Sequence, residues 1–142
     1  FALGVALNET GLAANLINAI PFNTWPVLAV LIGSGVICYT LSNFISNTAT
    51  AALLVPILAV VGKSMTAELA PIGGVACLLI GIAVAASVAM ILPISTPPNA
   101  LAHGTGMIEQ KYMAKSGLIM GIIGLVLGYC MLVMLGSIGF FG

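Results

Sequence analysis

The stretch Ser42-Asn43-Phe44-Ile45-Ser46-Asn47-Thr48-Ala49-Thr50 decides the fold of this chain. Most of its side chains carry a hydroxyl or an amide, and none is charged. It separates two apolar stretches, residues 26–41 and 49–62, each shorter than the roughly 20 apolar residues that a membrane-crossing helix needs. A polar cluster between two such stretches indicates that two short helices meet inside a membrane.

The composition of the 142-residue chain excludes a soluble domain, because 61% of its residues are hydrophobic, 4% are charged, and the mean hydropathy is +1.27. Soluble domains are roughly a quarter charged. The formal net charge of +0 provides no basic surface, so we expect no nucleic-acid partner. The three cysteines stand singly in apolar runs, which is not the spacing of a metal site or a disulfide framework. We therefore expect an all-α integral membrane protein that is not an enzyme, present here as a piece of a longer chain.

The apolar pattern divides the chain into four segments. Residues 1–20 are moderately apolar and predict the end of one helix followed by a helix in the membrane interface. Residues 26–62 predict a re-entrant hairpin, because one bent span of that length would measure ~55 Å against a hydrocarbon core of ~30 Å. Residues 70–107 predict a broken transmembrane helix, and residues 116–141 predict the final transmembrane helix.

The charged residues lie at the edges of these segments and mark the two membrane surfaces. Lys63 and Glu68 follow the hairpin at one surface, and Glu109, Lys111 and Lys115 precede the final helix at the other. Two lysines against one predict that the loop before the final helix is cytoplasmic and that the hairpin enters from outside.

A second uncharged interruption, Pro93-Ile94-Ser95-Thr96-Pro97-Pro98-Asn99, breaks the helix expected over residues 70–92. A short helix near residues 99–107 follows it, with Pro98 well placed at its start. Carbonyl groups are left free at such a break, beside the hydroxyls of Ser95 and Thr96. Uncharged oxygens in this number suit a hard monovalent cation.

The hairpin tip has the complementary chemistry. Ser46 and Asn47 are both preferred residue types for the N-cap of the second hairpin helix. The free N–H groups and the positive dipole end of that helix would favour a carboxylate or a sulfate. Paired interruptions of membrane helices are the best sequence indication of a transporter's binding site.

The missing charges predict ion coupling. No lysine lies in an apolar segment, so no fixed cation offsets a bound anion, and helix dipoles supply only part of that charge. His103 is the only histidine, and we expect it to line a packed helix rather than carry protons. One face of the final helix carries small residues that predict close helix packing: Gly117, Gly121, Gly124 and Gly128.

The chain resembles the divalent anion/sodium symporter family. Its Ser46-Asn47-Thr48, within SNFISNTATAALLVPI, is similar to the family's Ser-Asn-Thr signature, and LPISTPPNALAHGTGMI is similar to the family's unwound helix. The resemblance covers essentially the whole chain, residues 1–142. It implies the C-terminal half of an inverted-repeat transporter, a missing N-terminal half with its own hairpin, and a homodimer embedded in membrane lipid. We expect that membrane to be the bacterial inner (plasma) membrane.

The resemblance also implies which residues bind the transported species. Sodium would be bound by the side chains of Ser42 and Asn47 and by the backbone carbonyls of Ile45 and Ser95. The substrate, a small dicarboxylate or related divalent anion, would contact these residues of the tip and the break: Ser46, Asn47, Thr48, Thr96 and Pro97.

The function implied is sodium-coupled secondary transport of small di- or tricarboxylate anions by alternating access. Alternatives within transport are an electroneutral dicarboxylate exchanger and a transporter of sulfate or a proton-coupled anion transporter, the proton-coupled variant using His103. An alternative of another class is a non-transporting membrane assembly module, which the polar tip argues against.

Overall fold

The computed structural model describes residues 9–11, 15 and 26–141. Every regular element in these residues is a helix and none is a strand, which confirms the all-α class. The interfacial segment expected over residues 1–20 lies outside the described residues except for positions 9–11 and 15.

The helices of the described region run in the following order. They are α1 (Val27–Phe44), α2 (Asn47–Ser64), the short α3 (Thr66–Leu69) with a 3₁₀ turn (Ala70–Ile72), α4 (Gly74–Ser87), α5 (Pro97–Gly104) and α6 (Gln110–Ser137).

Helices α1 and α4 lie side by side and run in the same direction. The Cys38 thiol of α1 donates to the carbonyl of Ile82 in α4 at 3.5 Å. Further along both, the Asn43 side chain accepts a hydrogen bond from the backbone N–H of Ile91, just beyond α4, at 2.9 Å. Because residue numbers rise together along the two contacts, the helices are parallel.

Helix α2 runs in the opposite direction. Gly62, near its end, packs against Val75 at the start of α4, so closely that a Cβ at position 62 would lie 2.9 Å from a Val75 methyl. Since α2 is antiparallel to α4 and α1 is parallel to it, α1 and α2 form a helical hairpin. Its tip lies at the same end of the bundle as the break that follows α4.

Helix α6 is also antiparallel to α4, and its glycines provide the contact. Gly117 lies against the backbone of Met90, Gly128 against the Val84 side chain, and Gly136 against the carbonyl of Ile72. Absence of side chains lets the two helices approach this closely. The small-residue stripe therefore packs helices together, as its spacing predicts.

The core is centred on α4. Cys77, Leu78, Ile82 and Ala85 are completely buried between the surrounding helices. In contrast, α6 exposes large apolar side chains on the faces away from α4, including Met120, Leu127, Met131 and Met134. Such a surface matches a hydrocarbon environment rather than water, which fits an integral membrane protein in contact with lipid.

Length and apolar character let three helices of the described region cross a membrane: α1, α2 and α6. A bent pair, residues 66–72 with Gly74–Ser87 at 71°, would add a fourth span. Each hairpin helix has 18 residues, or about 27 Å. These helices are longer than the apolar stretches from which a re-entrant hairpin was predicted. The structure shows a helical hairpin, and its re-entrant placement in the membrane stays a prediction.

Helix α4 is shorter than the helix expected over residues 70–92. Gly73 and Gly74 have φ of 106° and 69°, a left-handed conformation that delays its start. At the other end α4 stops at Ser87, well before Pro93. Pro93 lacks an N–H and clashes with the carbonyl four residues earlier, which disfavours continuation of the helix through residues 89–93.

The last two helices begin earlier than expected. Helix α5 covers Pro97–Gly104 instead of 99–107, because Thr96 acts as its cap and two prolines fill its first positions. Helix α6 begins at Gln110 rather than Ser116. The sequence predicted a surface loop at Lys111 and Lys115. Lysine is a good helix former, and both residues lie in the first turns of α6.

Candidate ion and anion site

The hairpin tip consists of two non-helical residues, Ile45 and Ser46, between α1 and α2. Ser46 is the N-cap of α2, and its hydroxyl accepts a hydrogen bond from the N–H of Ala49 at 3.2 Å. Asn47 and Thr48 are consequently the first two residues of α2. Their backbone N–H groups have no partner within the helix, as at any helix start, and they form the positive end of its dipole.

The break before α5 repeats this organisation. The Thr96 hydroxyl accepts from the N–H of Asn99 at 3.3 Å, which makes Thr96 the N-cap. Pro97 and Pro98 follow and carry no N–H groups. The carbonyls of Ile94 and Ser95 accept no hydrogen bond from the described residues. The break thus offers free carbonyl oxygens, and its helix start offers fewer N–H groups than the tip.

Asn43, in the last turn of α1, connects the tip to the break. Its amide oxygen accepts from the N–H of Ile91 at 2.9 Å, and its amide nitrogen donates to the carbonyl of Tyr39 at 2.8 Å. Its backbone carbonyl accepts from the hydroxyl of Ser95 at 3.1 Å. That hydroxyl also accepts from the N–H of Leu92 at 3.3 Å. The two sequence-predicted interruptions therefore form one hydrogen-bonded unit.

Asn99 holds the same unwound segment from the other side. Its amide nitrogen donates to the carbonyl of Met90 at 2.9 Å and to that of Leu92 at 3.4 Å. Backbone groups freed by the end of α4 would be costly to leave unpaired in a membrane. The side chains of Asn43 and Asn99 satisfy three of them. These are the N–H of Ile91 and the carbonyls of Met90 and Leu92.

Several buried oxygens at the tip have no hydrogen-bond partner among the described residues. They are the side-chain oxygens of Ser42, Asn47 and Thr50. The Ser42 hydroxyl has a weak polar neighbour in the Cys38 thiol one turn earlier, but makes no bond of good geometry. Buried, unsatisfied oxygens are costly in an empty protein and are the kind of group that a bound cation satisfies.

Two of the four sequence-predicted sodium ligands are buried. Ser42 is fully buried and Ser95 is 1% exposed, Asn47 is half-buried, and Ile45 is exposed. Asn43 brings the elements that carry Ser42 and Ser95 into contact. Neutral side-chain oxygens and carbonyls of this kind match the ligand preference of a hard cation and require no buried acid.

The sequence-predicted anion ligands lie on the accessible side of the same unit. Ser46, Thr48 and Pro97 are exposed, and Asn47 and Thr96 are half-buried. Their helices both begin at this end of the bundle, where α2 offers the free N–H groups of its first turn and α5 offers the Thr96 hydroxyl, since Pro97 and Pro98 have no N–H.

His103 lies away from the oxygen cluster, near the end of α5. Its Nδ1 is 3.2 Å from the carbonyl of Ile108, which requires Nδ1–H as the donor. In this tautomer the imidazole closes the turn between α5 and α6.

Sequence reasoning missed three residues of this site: Asn43, Asn99 and Thr50. All three stood in the quoted polar stretches, and Asn43 and Asn99 are amides in otherwise apolar helices, a setting in which a partner is required. That signal marks them as bonded but does not identify their partners, since Asn43 and Ile91 are 48 positions apart.

Comparison with known proteins gives consistent matches. Residues 1–139 match the family model described as the sodium:sulfate symporter transmembrane region. The chain is 35% identical over 133 residues to Na(+)/dicarboxylate cotransporter 3 of Rattus norvegicus, covering 89% of this chain and 20% of that protein. It is 35% identical over 127 residues to sodium-dependent dicarboxylate transporter SdcS of Staphylococcus saprophyticus, covering 88% and 23%.

An uncharacterized transporter of Haemophilus influenzae is 38% identical over 123 residues, covering 85% of this chain and 25% of that protein. The chain thus spans between a fifth and a quarter of the length of these relatives. The family consists of transporters and not of enzymes. With nearly its whole length matched by the family model, the chain belongs to the divalent anion/sodium symporter family.

Proposed function

We propose that the full-length protein couples sodium entry to the transport of small di- or tricarboxylate anions. In this proposal the chain described here supplies one hairpin and one broken helix of the binding site. The missing N-terminal half supplies the rest, in a homodimer that works by alternating access in the bacterial inner membrane.

One observation carries the sodium part of the proposal. The buried side-chain oxygens of Ser42 in α1 and Asn47 in α2 have no hydrogen-bond partner among the described residues. The free carbonyl of Ile45 lies at the hairpin tip, and that of Ser95 lies in the break before α5. A sodium ion would satisfy these oxygens without a carboxylate ligand. Its charge would also offset that of a bound anion, since residues 42–50 and 93–99 contain no Lys or Arg.

The anion part rests on the two helix starts. The first N–H groups of α2 and the cap region of α5 open on the accessible side of the tip, where Thr48 and Thr96 add hydroxyl donors. The rat and staphylococcal relatives are named as dicarboxylate transporters, which favours a carboxylate. The family model is named for sulfate, so sulfate is the competing substrate to test.

The position of the tip along α6 supports a re-entrant hairpin. Gly117 packs against the backbone of Met90 and Ile91. Ile91 is bonded to Asn43 in the last turn of α1, while α6 begins earlier, at Gln110. The part of α6 before Gly117 measures about 10 Å. The last turn of α1 would therefore lie that far inside the charged end of the bundle, and the tip, two to three residues further on, would lie somewhat nearer to that end. A binding site at that depth is open to one side at a time when a hairpin or bundle moves.

The test uses full-length protein in sealed proteoliposomes. Uptake of radiolabelled succinate is measured with an inward sodium gradient, and with potassium replacing sodium as the control. We expect sodium-driven accumulation that unlabelled succinate, fumarate or malate inhibits more strongly than sulfate. Uptake indifferent to sodium would favour exchange, and sulfate uptake without competition by carboxylates would refute the substrate assignment.

Asn47→Ala tests the dual role proposed for that residue. The variant should raise both the sodium concentration for half-maximal uptake and the KM for succinate, because its side chain would contact ion and anion. Thr40→Val, on the exposed face of α1 with its hydroxyl bonded only to its own helix at Val36, is the matched control. A variant that changes only one of the two constants would restrict Asn47 to that ligand.

A further inference from the structure

Asn43 occupies the junction between the hairpin and the broken helix, and no sequence motif assigned it a role. It is 4% exposed, and its side chain uses both its amide oxygen and its amide nitrogen. The bond to Tyr39 stays within α1. The bond to Ile91, by contrast, joins α1 to the unwound segment after α4.

A second link joins the same two elements. Ser95 donates its hydroxyl to the backbone carbonyl of Asn43 and accepts from the N–H of Leu92. Asn43 is therefore bonded to the unwound segment at two points, Ile91 and Ser95. Movement of that segment away from α1 would break both bonds.

We propose that Asn43 is the positioning residue of the cation site, holding the Ser95 backbone at the distance from Ser42 and Asn47 that sodium requires. Asn43 contributes no ligand of its own, since its amide oxygen and its carbonyl are already bonded to Ile91 and Ser95. This inference rests on the proposed function, because it assumes that sodium binds at this junction.

The origin of the proposed ligands explains why a clamp, that is, the two hydrogen bonds that join Asn43 to the unwound segment, is needed at the cation site. The proposed ligands come from two elements far apart in sequence. The helices of the hairpin carry Ser42 and Asn47, and the break carries Ser95. The break is not helical, so its own backbone bonds do not fix its position. A small cation needs its oxygens within a few tenths of an ångström of the preferred distance. Asn43 supplies the side-chain bond that sets this distance.

Asn43→Ser isolates the bond to Ile91. A serine hydroxyl in a helix bonds the carbonyl four residues earlier, so the contact with Tyr39 is kept, but the shorter side chain cannot reach the Ile91 N–H. Full-length protein is purified in detergent, and its apparent Tm is measured over a series of sodium concentrations at constant ionic strength with choline. We expect wild-type protein to be stabilised by sodium, and Asn43→Ser to need about tenfold more sodium for half of that stabilisation.

The sodium midpoint separates positioning from a purely structural role. A structural defect would lower Tm equally at all sodium concentrations and leave the midpoint unchanged. Thr40→Val, one turn earlier on the exposed side of α1, controls for a polar deletion in the same helix and should keep the wild-type midpoint. An unchanged midpoint in Asn43→Ser overturns the inference.

Ser95→Ala tests the same clamp from the other element and keeps the test decisive if Asn43→Ser does not fold. It removes the hydroxyl bonded to Asn43 but keeps the backbone carbonyl proposed as a ligand. We expect its midpoint to rise about threefold, and the double variant to be no worse than Asn43→Ser, because both changes release one segment. The clamp is refuted if Ser95→Ala has the wild-type sodium midpoint, or if the increase in the double variant equals the product of the two single increases.

The experiment distinguishes failure of the inference from failure of the proposed function. Wild-type protein that shows no sodium-dependent stabilisation refutes sodium binding, and the clamp with it. If sodium stabilises the wild-type protein and Asn43→Ser has the same sodium midpoint, only the clamp is refuted.

Discussion

Gly117→Ala should destabilise the protein, because Gly117 is the point at which α6 touches the unwound segment. A Cβ at this position would lie 2.9 Å from the Cα of Ile91 and from the carbonyl carbon of Met90, closer than packed carbon atoms approach. The obstacle is backbone, and Asn43 and Asn99 hold that backbone by hydrogen bonds. The segment can yield only by breaking one of them.

The magnitude follows from opposing contributions. Alanine in a helix interior is favoured over glycine by about 1 kcal/mol. Overpacking costs about 1–3 kcal/mol, and the loss of one hydrogen bond of the unwound segment adds about 0.5–1.5 kcal/mol. The net expectation is a loss of about 0.5–3.5 kcal/mol. In a full-length protein of the length of its relatives, about four to five times that of this chain, this corresponds to an apparent Tm lower by about 1 °C per kcal/mol, because the entropy of unfolding grows with chain length.

The assay is thermal unfolding of full-length protein in detergent at one scan rate. Gly104→Ala is the matched control, because a Cβ at position 104 would meet nothing within 4 Å and alanine suits the end of α5. We expect this variant to keep or raise Tm. The reasoning is refuted if Gly117→Ala is as stable as the wild type, or if both variants lower Tm equally.

Three further predictions concern the site and the topology. Thr48→Val removes a hydroxyl donor at the start of α2 and should weaken succinate binding by roughly ten- to a hundredfold, because one hydrogen bond to a charged group contributes about 1.5–3 kcal/mol. Isothermal titration with succinate in saturating sodium would measure this loss, with Thr40→Val as the control. His103→Gln should retain sodium-driven, pH-dependent uptake in proteoliposomes, and loss of uptake with sodium binding intact would contradict the placement of His103 outside the oxygen cluster. Single cysteines replacing Val27 and Lys63 should react with a membrane-impermeant thiol reagent from the same side, and labelling from opposite sides would exclude a helical hairpin of either kind, re-entrant or membrane-crossing.

The local chemistry of the site could be predicted from the sequence. The polar stretch around Ser46 predicted a helix start there, and Ser46 is the cap of α2. The prolines of the second interruption predicted a broken helix, and α4 and α5 are separated at that place. Caps and proline breaks involve groups within three or four residues of one another, so the sequence order already contains both partners.

Helix limits were predicted less well because they depend on more than local pattern. The polar residues Ser42 and Asn43 read as a helix end, yet α1 continues to Phe44. Asn43 can remain helical there because its amide finds partners at Tyr39 and at Ile91. A polar residue in an apolar helix indicates a break or a tertiary hydrogen bond, and the sequence alone does not distinguish them.

The sequence by itself determined that this chain is helical, that it suits a membrane, and that its two uncharged interruptions are where polar backbone is exposed. Only the tertiary structure decided that the interruptions meet, through Asn43, at one end of the bundle, and that Gly117 packs against the segment they enclose. The physical reason is range. Hydropathy and capping act over one or two helical turns, whereas the contact between Asn43 and Ser95 requires α1 and α4 to pack side by side first.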